Sequence, residues 1–265
     1  NGTLSPASLK LNGFSLAVEN MNLTVAGTSP VDDGEIALDH GDLSFHNTLF
    51  ADNSTLQVSN GALVLEGGAS GGSLSLNLAA AALKLTDNLS LGDGGFGLDN
   101  ASALMLQGDA TLSRNGALDL PSLELNGHAL SLGAALTELS LRGALSVADN
   151  ESLDSDNLTL RLHSGGSITG TGRLDVGGTN LELQDRLTVS GTLALDNDTT
   201  LLLNGNPLDL SGGTLEPHGG TIDLANFVTD NATGLQLEGD TEISSTSPFT
   251  FGTLELNGHI LTLGG

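Results

Sequence analysis

Leucine alternates with a polar or small residue in short bursts along the whole chain. Examples are Leu9-Lys10-Leu11, Leu23-Thr24-Val25, Leu63-Val64-Leu65, Leu123-Glu124-Leu125, Leu181-Glu182-Leu183, Leu193-Ala194-Leu195 and Leu261-Thr262-Leu263. A period of two puts alternate side chains on opposite faces, so each burst reads as a strand with one buried side. The bursts run to roughly three to five residues and are separated by Gly, Asn, Asp and Ser, which tolerate tight or left-handed turns. Strands this short do not hold a meander together. They do hold a solenoid, in which each strand stacks on its equivalent one coil away and the core is a column of aliphatic rows. The expected fold is all-β, a parallel β-helix (β-solenoid) of about 12–13 coils, with roughly 20 residues and three short strands per coil. At ~4.8 Å per stacked strand it would be a rod of roughly 60 Å.

No composition shift interrupts the pattern, so residues 1–265 read as a single domain. Ala79-Ala80-Ala81-Ala82 is expected to fill a narrow corner. The longer intervals Ala26–Glu35, Ala148–Asn157, Ala225–Gly234 and Ser244–Thr253 are expected to be loops bulging from one corner. Leu11, Leu63, Leu125, Leu183 and Leu195 should point inward, and Glu124 and Glu182 outward.

Composition narrows the function. There is no Cys, which excludes a disulfide framework, thiol catalysis and Cys-ligated zinc. A formal net charge of −25, with only seven Lys and Arg, argues against nucleic acid and anionic membrane as partners. No apolar run approaches the ~20 residues of a membrane helix.

Two corner motifs recur. Asn-Gly joins two leucine bursts at Asn12-Gly13, Asn126-Gly127, Asn204-Gly205 and Asn257-Gly258. Gly supplies positive φ without steric cost and Asn tolerates it. In a flat sheet the pair would signal a hairpin; its repetition favours a solenoid corner. The pattern Leu-x-Leu-Asn-Gly-His-x-Leu-x-Leu, seen at Leu123–Leu132 and Leu254–Leu263, resembles the repeats of large bacterial β-helical surface proteins. These are autotransporter passengers and filamentous-haemagglutinin-like adhesins. The resemblance implies a parallel β-helix, secretion, and a role in adhesion or extracellular assembly.

The second motif is Asp-Asn, which occurs seven times and is always followed by Ser or Thr two residues after the Asn. Asn53, Asn88, Asn100, Asn150, Asn157, Asn197 and Asn231 therefore stand in N-glycosylation sequons, which belong on exposed loops of exported proteins. The same residues also suit an Asx corner, in which Asp and Asn bond the local backbone. Both readings place the segments on the surface.

Parallel β-helices include polysaccharide lyases and hydrolases, so a carbohydrate-active enzyme is the alternative. Such enzymes need paired carboxylates and basic residues for an acidic sugar. Polygalacturonase-like hydrolases would show an Asp-Asp, a later Gly-His-Gly and an Arg-x-Lys. Asp32-Asp33 is present, but Gly127-His128 and Gly258-His259 lack the following Gly, and Arg-x-Lys is missing. No catalytic residue is assigned, and the chain is not expected to be an enzyme. His40 and His46, the one close histidine pair, fit no zinc spacing. Calcium, which takes oxygens from acidic loops, is the one cofactor considered, with Asp149, Asp154, Asp156, Asp196 and Asp198 as its candidate ligands. Outward Lys10, Ala17, Thr24 and Ser131 are too mixed for an ice-binding array.

The expected role is an extracellular structural or adhesive β-solenoid, secreted or at the cell surface. Carbohydrate or other cell-surface contacts are candidate interactions. The missing initial Met is expected of a processed or excised chain. Leucine bursts run to both termini without a helical or polar cap, so end-to-end stacking with other copies, or continuation of a longer rod, is expected.

Overall fold

The structure, a computed structural model, describes residues 2–178, 180–197, 199–245 and 248–264. It is a β-solenoid of about 13 turns, all-β, with parallel strands stacked about 20 residues apart. None of the described residues is helical. The chain forms two compact units, Asn1–Leu136 and Thr137–Gly265.

In the first unit each coil has three faces. The first is built from Ser15–Glu19, Glu35–Asp39, Ser54–Ser59, Leu74–Ala79 and Phe96–Leu98. The second runs through Met21–Val25, Asp42–Phe45, Ala62–Leu65, Ala82–Leu85 and Ala103–Leu106. The third contains Ser29–Pro30, Leu49–Phe50, Ala69–Ser70, Leu89–Ser90, Ala110–Ser113 and Ala129–Leu132. Every rung pairs parallel and in register with the next, so identical positions stack. Leu23, Leu43, Leu63, Leu83 and Leu104 form one column on the second face, and each is completely buried. Burying a leucine contributes roughly 1.5–3 kcal/mol, which is how strands of two to six residues are held. The second unit repeats the plan. Its third face carries Leu153, Leu174, Leu193, Leu215 and Leu235 in register. Leu11, Leu63, Leu125, Leu183 and Leu195 are all buried. Glu124 is exposed and Glu182 partly so.

The Asn-Gly corners have left-handed geometry at both residues, with φ of 52° and 84° at Asn126-Gly127 and 48° and 86° at Asn257-Gly258. The turn closes with a backbone bond, His128 N to Leu125 O at 3.0 Å and His259 N to Leu256 O at 2.7 Å. This is hairpin-type turn geometry, but the strands it joins pair with the coils above and below instead of with each other. The Asn side chain ties the corner to the preceding coil. Asn126, Asn204 and Asn257 each donate Nδ2–H to a carbonyl there, Leu106, Leu183 and Leu237, all at 3.1 Å.

Between the first and second faces of the first unit, Asn20, His40, Asn60 and Ala80 all hold φ between 49° and 58°. Three of the four are residues that tolerate this region. Ala80 is not, and an L-residue with a plain Cβ pays roughly 1–2 kcal/mol there. Ala80→Asn, which extends the asparagine pattern, is expected to raise stability by about 1 kcal/mol in a denaturant titration. An unchanged or lower midpoint would show that the corner is not strained.

Three of the four long intervals are not loops. Ala26–Glu35 contains Ser29–Pro30, Ala148–Asn157 contains Ser152–Asp154, and Ala225–Gly234 contains Phe227–Val228. Each strand has room for only one or two inward side chains, and at Ser29 that residue is a buried serine, so no leucine pair announces it. Of the four, only Ser244–Thr253 holds no strand between its end residues, among those described. Strand lengths also exceed expectation at Thr214–Asp223, ten residues long. Gly219 and Gly220, with φ of 117° and 80°, let this strand pass from the third-face ladder into the next, the register skipping Gly219 and resuming at Gly220.

Candidate functional site

The richest cluster of ionisable groups lies on the third face of the second unit. Register sets it. Asp154, Asp175, Ala194 and Glu216 occupy one outward column. Two residues before it on each strand, and so on the same face, Ser152, Arg173, Thr192 and Thr214 form a second column. At the corner just beyond, Asp156 and Asp196 close over Gly177. A Cβ at Gly177 would sit 2.2 Å from the Asp156 Oδ1 and 2.8 Å from the Asp196 Oδ2, so a glycine there leaves room for both carboxylates.

Arg173 holds the cluster together. Its Nη2 donates to Asp175 Oδ2 at 3.1 Å and to Glu216 Oε1 at 2.8 Å, and its Nη1 donates to Glu216 Oε2 at 2.9 Å. Glu216 lies two coils away, so the bridge spans the intervening rung, where Ala194 is small and wholly buried. His218 sits between Asp196 (Nδ1 to Oδ1, 2.9 Å) and Glu216 (Nε2 to Oε1, 3.3 Å).

The electrostatics follow from this placement. Hydrogen bonding to Arg173 holds the Glu216 carboxyl below the usual range. Burial, reinforced by Asp175 and Asp196, pushes Asp154 up. Burial, then Asp154, Asp175 and Asp196, pushes Asp156 up as well. A lowered folded-state value stabilises above the unfolded value and is lost on acidification; a raised one subtracts at neutral pH and is relieved in acid. Asp154→Asn is therefore expected to stabilise at pH 7 by up to about 0.5 kcal/mol, allowing for solvent screening. That gain should shrink as the pH falls toward 3.8, the ordinary aspartate value. Arg173→Ala should cost about 1–2 kcal/mol at pH 7, through the carboxylates it strands, and less at low pH. Paired thermal melts at pH 7 and pH 3.5 read both; an Arg173→Ala deficit that does not shrink in acid would contradict the ion-pair account.

Of the residues selected as calcium ligands, the fold brings Asp154, Asp156 and Asp196 together. It does not bring Asp149 to them: its Oδ1 accepts the Thr171 amide at 2.8 Å on another corner. Asp198 lies outside the described residues. Among the described residues, no group of three or more His, Cys, Asp or Glu side chains is disposed to hold a metal ion. Arg173, Asp175, Glu216 and His218 were not selected from the sequence. Aligning the coils at their roughly 20-residue spacing is the signal that would have joined them.

The seven sequon asparagines are all exposed at corners. Asn53, Asn150 and Asn157 hold left-handed φ of 49°, 62° and 60°. At three others the hydroxyl of the motif is built into the wall: Ser102, Thr199 and Thr233 donate to Leu78 O, Val176 O and Leu210 O of the preceding coil. Asp99 and Asp230 complete Asx turns by accepting the Ala101 and Ala232 amides at 3.0 and 2.9 Å. The motif thus shapes corners, while its Asn side chains stay accessible.

Bridges between rungs recur beyond this cluster. Arg161 spans Glu138 at 2.6 Å and Glu182 at 2.9 Å, and Arg186 pairs with the buried Asp209. His46, His128 and His259 each meet a carboxylate of an adjacent coil, Glu66, Asp109 and Asp240. No family model, curated protein or solved structure matches the chain.

Proposed function

We propose that this chain is a structural or adhesive β-solenoid exposed outside the cell, a surface rod or the subunit of a filament, with glycans on its Asp-Asn corners. The observation that carries this reading is the use made of charged side chains: Arg161, Arg173 and Arg186, and most histidines, bridge stacked coils. Such bridges reinforce a stack against shear, and a strongly acidic surface keeps a repetitive β-structure from associating sideways. The accessible sequon asparagines fit an exported chain.

The test is fractionation of source cells, followed by mass measurement of the native chain before and after enzymatic release of Asn-linked glycans. Surface or secreted material that loses mass on digestion supports the reading. Unmodified protein in the cytosol overturns it. The raised carboxyls of Asp154 and Asp156 beside ionised neighbours are the one feature that favours a carbohydrate-active enzyme. Reducing-sugar release from polysaccharides that is abolished in Asp156→Asn would move the function to that class.

A further inference from the structure

We infer that the cleft between the strand Thr200–Leu202 and residues 220–223 of the next coil binds an extended peptide segment of alternating apolar and basic residues. The inference rests on the adhesive reading and names its partner chemistry. On the same face of the second unit, Thr159–Leu162 and Asn180–Leu183 each pair with the coils on both sides. Here the ladder is interrupted. Among the described residues, Thr200–Leu202 pairs only with Asn180–Leu183, and 220–223 only with Gly239–Ser244. The two coils touch on either side of the gap. A Cβ at Gly220 would lie 2.3 Å from the Asn197 carbonyl oxygen, and Leu208 pairs with Phe227. Between those contacts the coils part around a cavity of about 290 Å³, close to the lower limit for a ligand site.

Strand geometry turns main-chain groups into this cavity. Successive residues of a parallel strand direct their N–H and C=O to opposite neighbours. Leu224 N donates to Ser244 O at 2.9 Å, so the main-chain groups of Ile222 face that coil and those of Thr221 and Asp223 face the cavity. Gln184 N donates to Leu162 O at 2.9 Å, and the same alternation aims the main-chain groups of Leu201 into the cavity from the opposite wall. Among the described residues, no hydrogen bond joins Leu201 to Thr221 or Asp223. An inserted polypeptide strand satisfies both walls at once. Its inward side chains would fill the aliphatic column between Leu201, which stacks on Leu181, and Ile222, which stacks on Ile243. Its outward side chains would emerge beside Asp196 and Asp223. Asp196 already meets His218 at 2.9 Å, so Asp223, whose Oδ1 accepts the neighbouring Ala225 amide, is the principal anchor. No Lys, Arg or His is among the described residues that line the cavity, and the net charge is −25, so basic side chains complement it.

Fluorescence anisotropy of a labelled, end-blocked hexapeptide alternating valine and lysine, titrated with the purified chain, tests the site. Saturable binding of one peptide per chain is expected. N-methylation of alternate peptide amides removes main-chain donors and should weaken binding at least about tenfold. Asp223→Asn keeps an acceptor for the Ala225 amide and should weaken binding roughly two- to fivefold. Asp87→Asn, the same charge change at an exposed corner of the first unit, should leave it unchanged. The absence of saturable binding, equal binding of the N-methylated peptide, or equal losses from the two substitutions overturns the site. So does binding of cellohexaose in place of the peptide. None of these outcomes touches the adhesive reading itself, which the location and mass of the native chain decide.

Discussion

Leu63→Asp is expected to unfold the first unit or to cost at least several kcal/mol. Leu63 is completely buried between Leu43 and Leu83. A carboxylate there has no partner and no water, and the column cannot shift without disturbing coils on both sides. Val64, its neighbour on the same strand, points outward and lies between Ser44 and Lys84. Val64 is partly exposed, so Val64→Asp should cost no more than about 1 kcal/mol, with Lys84 in place to pair with it. Denaturant melts of the two variants give the comparison. Similar losses from both would contradict the inward and outward alternation on which the fold depends.

The second large effect is expected at a glycine that has ordinary backbone geometry. Gly61 stacks on Gly41, and a Cβ added to it would lie 1.8 Å from the Gly41 carbonyl oxygen. That atom is main chain, fixed by the ladder, and cannot step aside. Gly61→Ala should lift the corner, disturb the bond from Ala82 N to Gly61 O, and cost about 2–3 kcal/mol. Gly127→Ala is the contrasting case. Nothing lies within 4 Å of its added Cβ, and only the left-handed φ opposes the change. Its cost should be nearer 1 kcal/mol. A larger loss at Gly127 than at Gly61 would mean that backbone conformation, not rung spacing, controls these corners.

Much of this architecture is legible in the sequence because a solenoid repeats one local rule. Leu23, Leu43, Leu63 and Leu83 recur at the coil spacing and alternate with outward residues, so both burial and stacking can be read from them. The Asn-Gly corners are legible for a related reason, since two adjacent residues that accept positive φ leave few other conformations. Ser29–Pro30 was not legible: its inward residue is a serine that donates to the Gly27 carbonyl, and nothing in its composition marks it as core. Nor was the continuity of Thr214–Asp223, where two glycines resemble a loop but the ladder skips only Gly219. The candidate site was partly legible. Asp154, Asp156 and Asp196 stand out as acidic, whereas Arg173 and Glu216 are 43 residues apart and meet only after two coils have been wound.

The registers also make the coil a unit of inheritance. Ala62 stacks on Ala82 after 20 residues, Ala82 on Ala103 after 21, and Leu104 on Leu123 after 19. Elsewhere Leu193 stacks on Leu215 after 22 residues and Leu89 on Leu112 after 23, so corners take up a few residues of slack while strands keep their phase. Glu35, Thr55 and Ser75 stand directly above one another, so a deletion running from Thr55 to Leu74 would set Ser75 onto Glu35 with every inward side chain still inward. A one-residue change inside a strand has the opposite result and turns the rest of that strand inside out. Such a gene can therefore lengthen or shorten by whole turns while its point-by-point freedom stays narrow, and lineages descended from it should differ in size by multiples of one coil.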